Sequence, residues 1–435
     1  MLEFHKKEKI MNRYQSHAGY FGAITVVVMT FSFVYLKALG VISTVTSSLM
    51  FSIVAITFLV MLISEYFLKR RFNRRNEIIV KYEALNKSNL YILKSSLFRF
   101  LALFLPFLIF YLLVNNHHYF ISSTVFKPTR EFFDYLLYIF LILGLPYSFM
   151  TLKFRGSKVY EFGDYALLTI IGVKSLFKSL FISSYEKNFH KNRRVKKVWL
   201  LYLVNFFFLT LMARFVVSTF QGFEKELFKI TSDTFSSYDW YAQFKTWFLV
   251  IFHLIFTIDV SIAVIGYSFA SRWLGNRTRS VDATMSGWIV ALLCYPPLNY
   301  AFTNQFIGYH GMDTHQFITN EYILAVILSL VIFFYFIYVW ATIALGFKFS
   351  NLTNRGVVDI GPYKYVRHPA YISKNFSWWL DNTFVLTNIW ASIALAMWNV
   401  IYVLRAVTEE RHLKMDKEYR AYIKKVKYRF IPKVI

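Results

Sequence analysis

The sequence predicts an all-α fold: a polytopic transmembrane bundle of about ten helices, with a cytoplasmic cofactor pocket at its C-terminal end. Three observations carry this. Hydrophobic residues make up 57% of the 435-residue chain and the mean hydropathy is +0.43, more apolar surface than a soluble domain can bury. The apolar residues gather into runs of roughly 20, the length that crosses a bilayer core. Lys and Arg cluster between alternate runs, as cytoplasmic loops do in membrane proteins.

Taken in order, the expected spans are Tyr20 to Val41, Ser47 to Leu68, Leu97 to Val114, Phe132 to Leu152 and Val198 to Thr219. Trp247 to Ala270, Met285 to Phe302, Tyr322 to Leu345, Tyr371 to Leu386 and Asn388 to Val407 follow. The basic leader Lys6-Lys7-Glu8-Lys9 precedes the first run without an Ala-x-Ala pattern after it, so that run is expected to be a retained helix. The loop Lys69 to Arg75, the segment Lys153 to Lys197, the residues Arg272, Arg277 and Arg279, and the tail after Glu410 are basic and are expected inside. The loops 115–130, 220–243 and 303–321 are less basic and carry Glu224, Glu226, Asp233, Asp239 and Asp313. The result is a multi-pass integral membrane protein with both termini cytoplasmic, expected in a bacterial inner membrane. Within 153–197, the apolar stretch Tyr165 to Val173 is too short to span. With Lys174, Lys178 and Lys187 after it, it reads as an amphipathic helix on the inner leaflet or packed under the bundle.

The net charge of +25 is spread among inter-helix loops, which fits the positive-inside rule and gives no nucleic-acid surface. Cys294 is the single cysteine, so the chain holds no internal disulfide and no Cys-based metal site, and no His spacing suggests a metal. Glu65, Arg99, Asp134, Arg214, Lys245, His253 and Asp259 lie in or near apolar runs. Most sit close enough to a helix end to snorkel, and His253 is the one considered for a substrate site. Tyr295-Pro296-Pro297 interrupts the backbone ladder of its span. It reads as an anchored kink or as the opening of a lipid-accessible cavity.

The chemistry concentrates in two polar islands. The first runs from Arg355 to Tyr371 and contains Gly361-Pro362-Tyr363-Lys364-Tyr365-Val366-Arg367-His368-Pro369. Gly361-Pro362 signals a turn, and Pro369 suits the first turn of the next helix, whose open N–H groups can hold a carboxylate or phosphate. Arg367 and His368 add donors there and Tyr371 adds an aromatic face. The second island is Thr408-Glu409-Glu410-Arg411-His412, where a carboxylate can hold an ammonium or ribose hydroxyls. Arg405 lies one turn before Glu409 and is expected to pair with it. No Gly-x-Gly-x-x-Gly or Gly-x-x-x-x-Gly-Lys-Ser/Thr fingerprint is present, so a cofactor must be held by the helix ends and loops of the bundle.

Gly361-Pro362-Tyr363-x-Tyr365-Val366-Arg367-His368-Pro369-x-Tyr371, then Glu409-Glu410-x-x-Leu413, Tyr419-x-x-Tyr422-x-x-x-Val426 and Ile431-Pro432 resemble the isoprenylcysteine carboxyl methyltransferase and phospholipid N-methyltransferase superfamily. The resemblance covers about 285–435, a methyltransferase-like catalytic domain, and leaves 1–284 as an N-terminal transmembrane region with the amphipathic loop. It implies S-adenosylmethionine as cofactor, bound among Gly361, Tyr365, Arg367, His368, Pro369, Tyr371, Glu409 and Glu410. It also implies a lipid or lipid-anchored acceptor, carboxylate or amine. Arg405 or Arg355 would orient a carboxylate, and Glu409 or Trp378-Trp379 would suit an amine. Two features depart from the family: Ser373 stands where Gly is usual, and no Phe-Gly precedes Tyr419. The sterol C14 and C7 reductases share the general shape and would use NADPH on a sterol or isoprenoid double bond. Their second island carries His-Arg and Arg-Asp where Glu409-Glu410 stands here, which favours methyl transfer. The oligomeric state has no sequence signature.

Overall fold

The computed structural model describes residues 14–42, 47–76, 87–155, 165–181, 193–271, 274–306 and 318–434. The basic leader, Arg272 and Asp313 lie outside these residues. Helices dominate: α1 (Ala18–Ala38), α2 (Ser47–Arg75), α3 (Asn89–Asn116), α4 (Lys127–Arg155), α5 (Tyr165–Phe181), α6 (Arg193–Ile230) and α7 (Trp240–Ser268). Then come β1 (Ser280–Val281), α8 (Met285–Leu292), α9 (Glu321–Leu345), β2 (Thr353–Asn354), α10 (Pro369–Asp381), α11 (Ile389–Leu413) and α12 (Lys417–Lys425). Eight helical segments are long and apolar enough to cross a membrane: α1 to α4, α6, α7, α9 and α11. The chain is a multi-pass integral membrane protein.

Two expected spans are broken instead. Α8 stops at Leu292, and a π-turn follows at Asn299–Thr303. Pro296 and Pro297 cannot donate to the helical ladder, so the run cannot stay one helix. Α10 ends at Asp381, where Asn382 turns its amide back on Trp378 O (2.9 Å) and a 3-10 segment, Thr383–Thr387, leads into α11. Asn388 then caps α11, accepting from the N–H of Trp390 at 2.9 Å.

The chain forms two compact units, 77–214 and a second made of 1–76 with 215–435. In the first, α3 packs on α4 through stacked phenylalanines: Phe107 lies 5.4 Å from Phe140 and 6.1 Å from Phe133. Α5 also contacts α3. The second unit carries both polar islands. There α9 packs along α10 and α7, and α1 lies against α2, α7 and α9. Gly19 on α1 meets the end of α9 so closely that a Cβ there would sit 2.0 Å from Ile343 O. One residue on, Tyr20 accepts a hydrogen bond from Trp340 Nε1 at 3.0 Å.

The membrane ionisables find local partners. Glu65 is buried and accepts from Tyr14 Oη (2.9 Å) and Ser16 Oγ (2.6 Å). Asp134 accepts from Tyr111 (3.0 Å). Asp259 is buried between Tyr338 (2.9 Å) and Thr342 (2.5 Å) on α9. His253 presses its ring into the space that Gly222 leaves on α6, a packing role.

Candidate active site

Gly361 opens the first island in the left-handed region, φ +59°, where a side chain would be strained. A Cβ there would also meet Trp340 Nε1 and Ala344 Cβ at 3.1 Å. Its short 3-10 turn, Gly361–Lys364, leaves Tyr365 62% exposed and carries the chain to Arg367. Pro369 takes the first position of α10, as expected. The helix start is less open than the sequence suggests: the N–H groups of Tyr371 and Ile372 turn back to His368 O.

Glu410 is the electrostatic centre. It is 1% exposed and accepts from Arg367 Nε (2.8 Å), from Arg429 Nε (3.1 Å) and Nη2 (3.0 Å), and lies 3.2 Å from His368 Nε2. Two guanidiniums and an imidazole satisfy a carboxylate that could not be buried alone. The tail is tied to the same point. Arg367 and His368 donate their N–H groups to the carbonyls of Tyr428 and Arg429 (3.1 and 2.9 Å), and Arg367 Nη1 reaches Val426 O at 2.9 Å. Tyr422 Oη donates to Tyr363 O (2.7 Å), and Tyr419, Tyr422 and Val426 pack beneath Val357 and Leu413. Burial pushes the Tyr419 and Tyr422 hydroxyls well above the ordinary phenol range.

Glu409 differs from its neighbour. It accepts from Tyr371 Oη at 2.6 Å and is 38% exposed in its side chain. The two islands, some forty residues apart in sequence, therefore meet at Arg367–Glu410, at His368–Glu410 and at Tyr371–Glu409.

Beside Tyr371 and Glu409 lies a narrow cleft of about 20 Å³. The other walls include Asp282, Gly287, Asn351, Arg405, Thr408 and His412. Arg405 is buried, donates to Tyr295 Oη (3.3 Å) and to Asn351 Oδ1, and sits over the rings of Tyr371, Tyr295 and Tyr402 at 5.1, 5.4 and 5.8 Å. The pairing with Glu409 expected from their one-turn spacing gives way to this aromatic surround. Asp282 enters the wall because Gly287 has no side chain; a Cβ there would lie 2.1 Å from Asp282 Oδ2. Leu352, also in the wall, is held at φ +58°, an uncommon conformation for a branched residue.

A two-stranded ribbon frames the cleft, Ser280 opposite Asn354 and Val281 opposite Thr353. His412 Nε2 lies 2.9 Å from Ser280 Oγ, and Arg411 bonds Thr284 and Ser286. Arg279 reaches Asp416 (2.8 Å) and Glu418 (2.5 Å), and Asn354 Nδ2 also donates to Asp416 (2.9 Å). Burial alone would raise the Asp416 carboxyl, but the bonds from Asn354, the Glu418 N–H and Arg279 outweigh it and hold it below the usual carboxylate range.

Of the residues singled out from sequence, Tyr371, Arg405 and Glu409 line the cleft. Arg367, His368, Pro369 and Glu410 form the buried support behind it. Gly361 and Tyr365 belong to the turn on the α9 side. Arg355 is buried and donates to Gly266 O on α7. His412 was named with the second island but given no role, and Asp282 and Asn351 were not singled out; the only sequence signal of those two is position in short polar segments flanking spans, shared with many loop residues.

Residues 325–415 match the model of the isoprenylcysteine carboxyl methyltransferase (ICMT) family. The chain carries a C-terminal ICMT-type region. The matched stretch begins in α9, contains both islands and ends two residues after α11. Comparison with curated proteins and with solved structures gives no match. The ICMT-type region points to a membrane methyltransferase with a lipid-type substrate.

Proposed function

We propose that the protein is an S-adenosylmethionine-dependent methyltransferase whose acceptor is a lipid or lipid-anchored carboxylate or amine. One observation carries the reading: within the ICMT-matched stretch, Tyr371 and Glu409 meet at 2.6 Å on the wall of a cleft that also holds a buried guanidinium.

The donor set fits the cofactor. S-adenosylmethionine bears an ammonium, a carboxylate, a ribose diol and a sulfonium. The cleft offers Glu409 and Asp282 for the ammonium or diol, Arg405 for the carboxylate, and the Tyr371 ring beside a cation. NADPH fits poorly, because its phosphates would face two carboxylates with Arg405 as the guanidinium in the wall. This favours methyl transfer over reduction of a double bond.

The bound cofactor supplies an activated methyl group, so the chain has little acid–base work to do. Tyr371 and Glu409 fix one wall through their shared hydrogen bond. Arg405, held rigid by Asn351 and three rings, orients a carboxylate. Trp378, Tyr402 and Trp398 pack around the inner side and exclude water. The cytoplasm supplies the cofactor and the bilayer the acceptor, with both termini cytoplasmic. Purified protein should transfer label from methyl-labelled S-adenosylmethionine into a lipid extract, and Glu409→Gln should lower that transfer at least tenfold. Label transfer undiminished in Glu409→Gln would remove Glu409 from the site.

A further inference from the structure

The unit made of 77–214 holds a hollow of its own. A groove of about 670 Å³ is lined by the start of α3 and the last turns of α4, within the ~300–1,000 Å³ of small-ligand sites. Phe149, packed on the fully buried Ile92 and Leu152, forms its floor. Leu90 and Leu93 stand on the α3 side, and Pro146 and Met150 on the α4 side. Asn89 is the one polar residue in the lining. Leu90, Leu93 and Met150 are exposed, so hydrocarbon is the medium that suits them in a span.

The groove is basic at one end. On α4, Pro146, Phe149, Met150 and Lys153 stand at i, i+3, i+4 and i+7, so Lys153 continues the groove face toward the helix end at Arg155. The Lys153 ammonium lies 5.7 Å from the centre of the Phe149 ring. Among the described residues it makes no hydrogen bond or ion pair. On the other side, Lys87 precedes Asn89 by two residues and Lys94 follows Leu90 by one turn, and both are exposed. No Asp or Glu occurs in 87–96 or 145–155. An apolar trough that ends in cations at the edge of a span matches an amphiphile with a hydrocarbon chain and an anionic head.

We propose that this groove binds an anionic phospholipid of the bilayer. One acyl chain lies over Phe149 between Leu93 and Pro146, and the phosphate meets Lys153, with Lys87 and Lys94 beside it. In the proposed topology this end faces the cytoplasm. The site is independent of the methyl-transfer reading, because all of its residues lie outside the ICMT-matched stretch.

The test places the full-length protein in phosphatidylcholine nanodiscs with a trace of a lipid carrying a diazirine in one acyl chain, either phosphatidylglycerol or phosphatidylcholine. After illumination, adducts are mapped by peptide mass spectrometry. Phosphatidylglycerol adducts should concentrate on 89–93 and 145–150 and exceed those of the phosphatidylcholine probe there by about fivefold. Lys153→Met should remove most of that excess and leave phosphatidylcholine labelling unchanged, while Lys153→Arg should keep it. Leu93→Trp, which fills the groove, should lower labelling at these residues and leave it elsewhere as in wild type. Equal labelling by the two probes, adducts spread evenly over the exposed faces of all spans, or an excess unchanged in Lys153→Met would overturn the proposal. Absence of lipid adducts from these residues would also overturn it, and would give the groove to a protein partner such as a second copy of the chain.

Discussion

Two adjacent glutamates divide the labour of the site. Glu410 is sealed under Arg367, Arg429 and His368, so Glu410→Gln leaves the buried Arg367 and the partly exposed Arg429 without their counter-charge. That variant should lose about 3–5 kcal/mol of stability, read as a large fall in Tm. Glu409 is half-exposed at the cleft with Tyr371 as its partner, so Glu409→Gln should keep Tm nearly unchanged while losing cofactor affinity. A second titrating contact clasps the ribbon. The carboxyl of Asp416 is depressed in the fold, so its contribution is present above the unfolded value near 3.9 and is lost as pH falls through the lower folded value. Thermal scans should therefore show wild type losing stability below about pH 4, with Asp416→Asn flatter over the same window. The sequence showed Arg367, His368, Glu409 and Glu410 as a set because charge against an apolar background is conspicuous. It did not separate support from wall, since that depends on which carboxylate the tail covers, and Arg429 is nineteen residues from Glu410.

At the scale of elements, long apolar runs identified eight spans, and α8 and α10 escaped for a common reason. Hydropathy counts apolar residues and does not register a lost N–H at Pro296 and Pro297 or an amide turning back at Asn382. The N-terminal helix holds a different lesson. Sequence resemblance begins well after α1, yet α1 supports the first island: Gly19 lets it approach α9, and Tyr20 and Trp340 close over Gly361. Gly19→Val should disrupt this packing by overfilling it, with a cost of about 1–3 kcal/mol or more in Tm-derived stability. Gly361→Ala should combine strain at φ +59° with a 3.1 Å contact and lower both Tm and cofactor affinity. Nothing in a linear reading links residue 20 to residue 361; a glycine in a span has several uses, and only the packing distinguishes them.

For the whole molecule, the fold class was legible because a bilayer imposes one length and one periodicity on every span. The pairing of distant segments was not, because no local signal shows that 1–76 joins 215–435 in one compact unit across an intervening stretch of 138 residues, 77–214. The proposed topology has a direct consequence: the Tyr365 turn and the α12 tail face the cytoplasm. In a Cys294→Ser background, cysteines introduced at Tyr365 and Arg420 should react with an impermeant maleimide only when the cytoplasmic face is accessible, and labelling from the opposite face would overturn the orientation. In the proposed function, the two islands form one adenosyl-cofactor site. The most direct measurement is thermal unfolding of the purified protein with S-adenosylhomocysteine against NADPH. At a hundredfold excess over Kd, a ligand of the native state adds about 2.7 kcal/mol. S-adenosylhomocysteine should raise Tm, Glu409→Gln should abolish the rise, and NADPH should leave Tm unchanged; stabilisation by NADPH without any by S-adenosylhomocysteine would rule out an adenosyl-cofactor site.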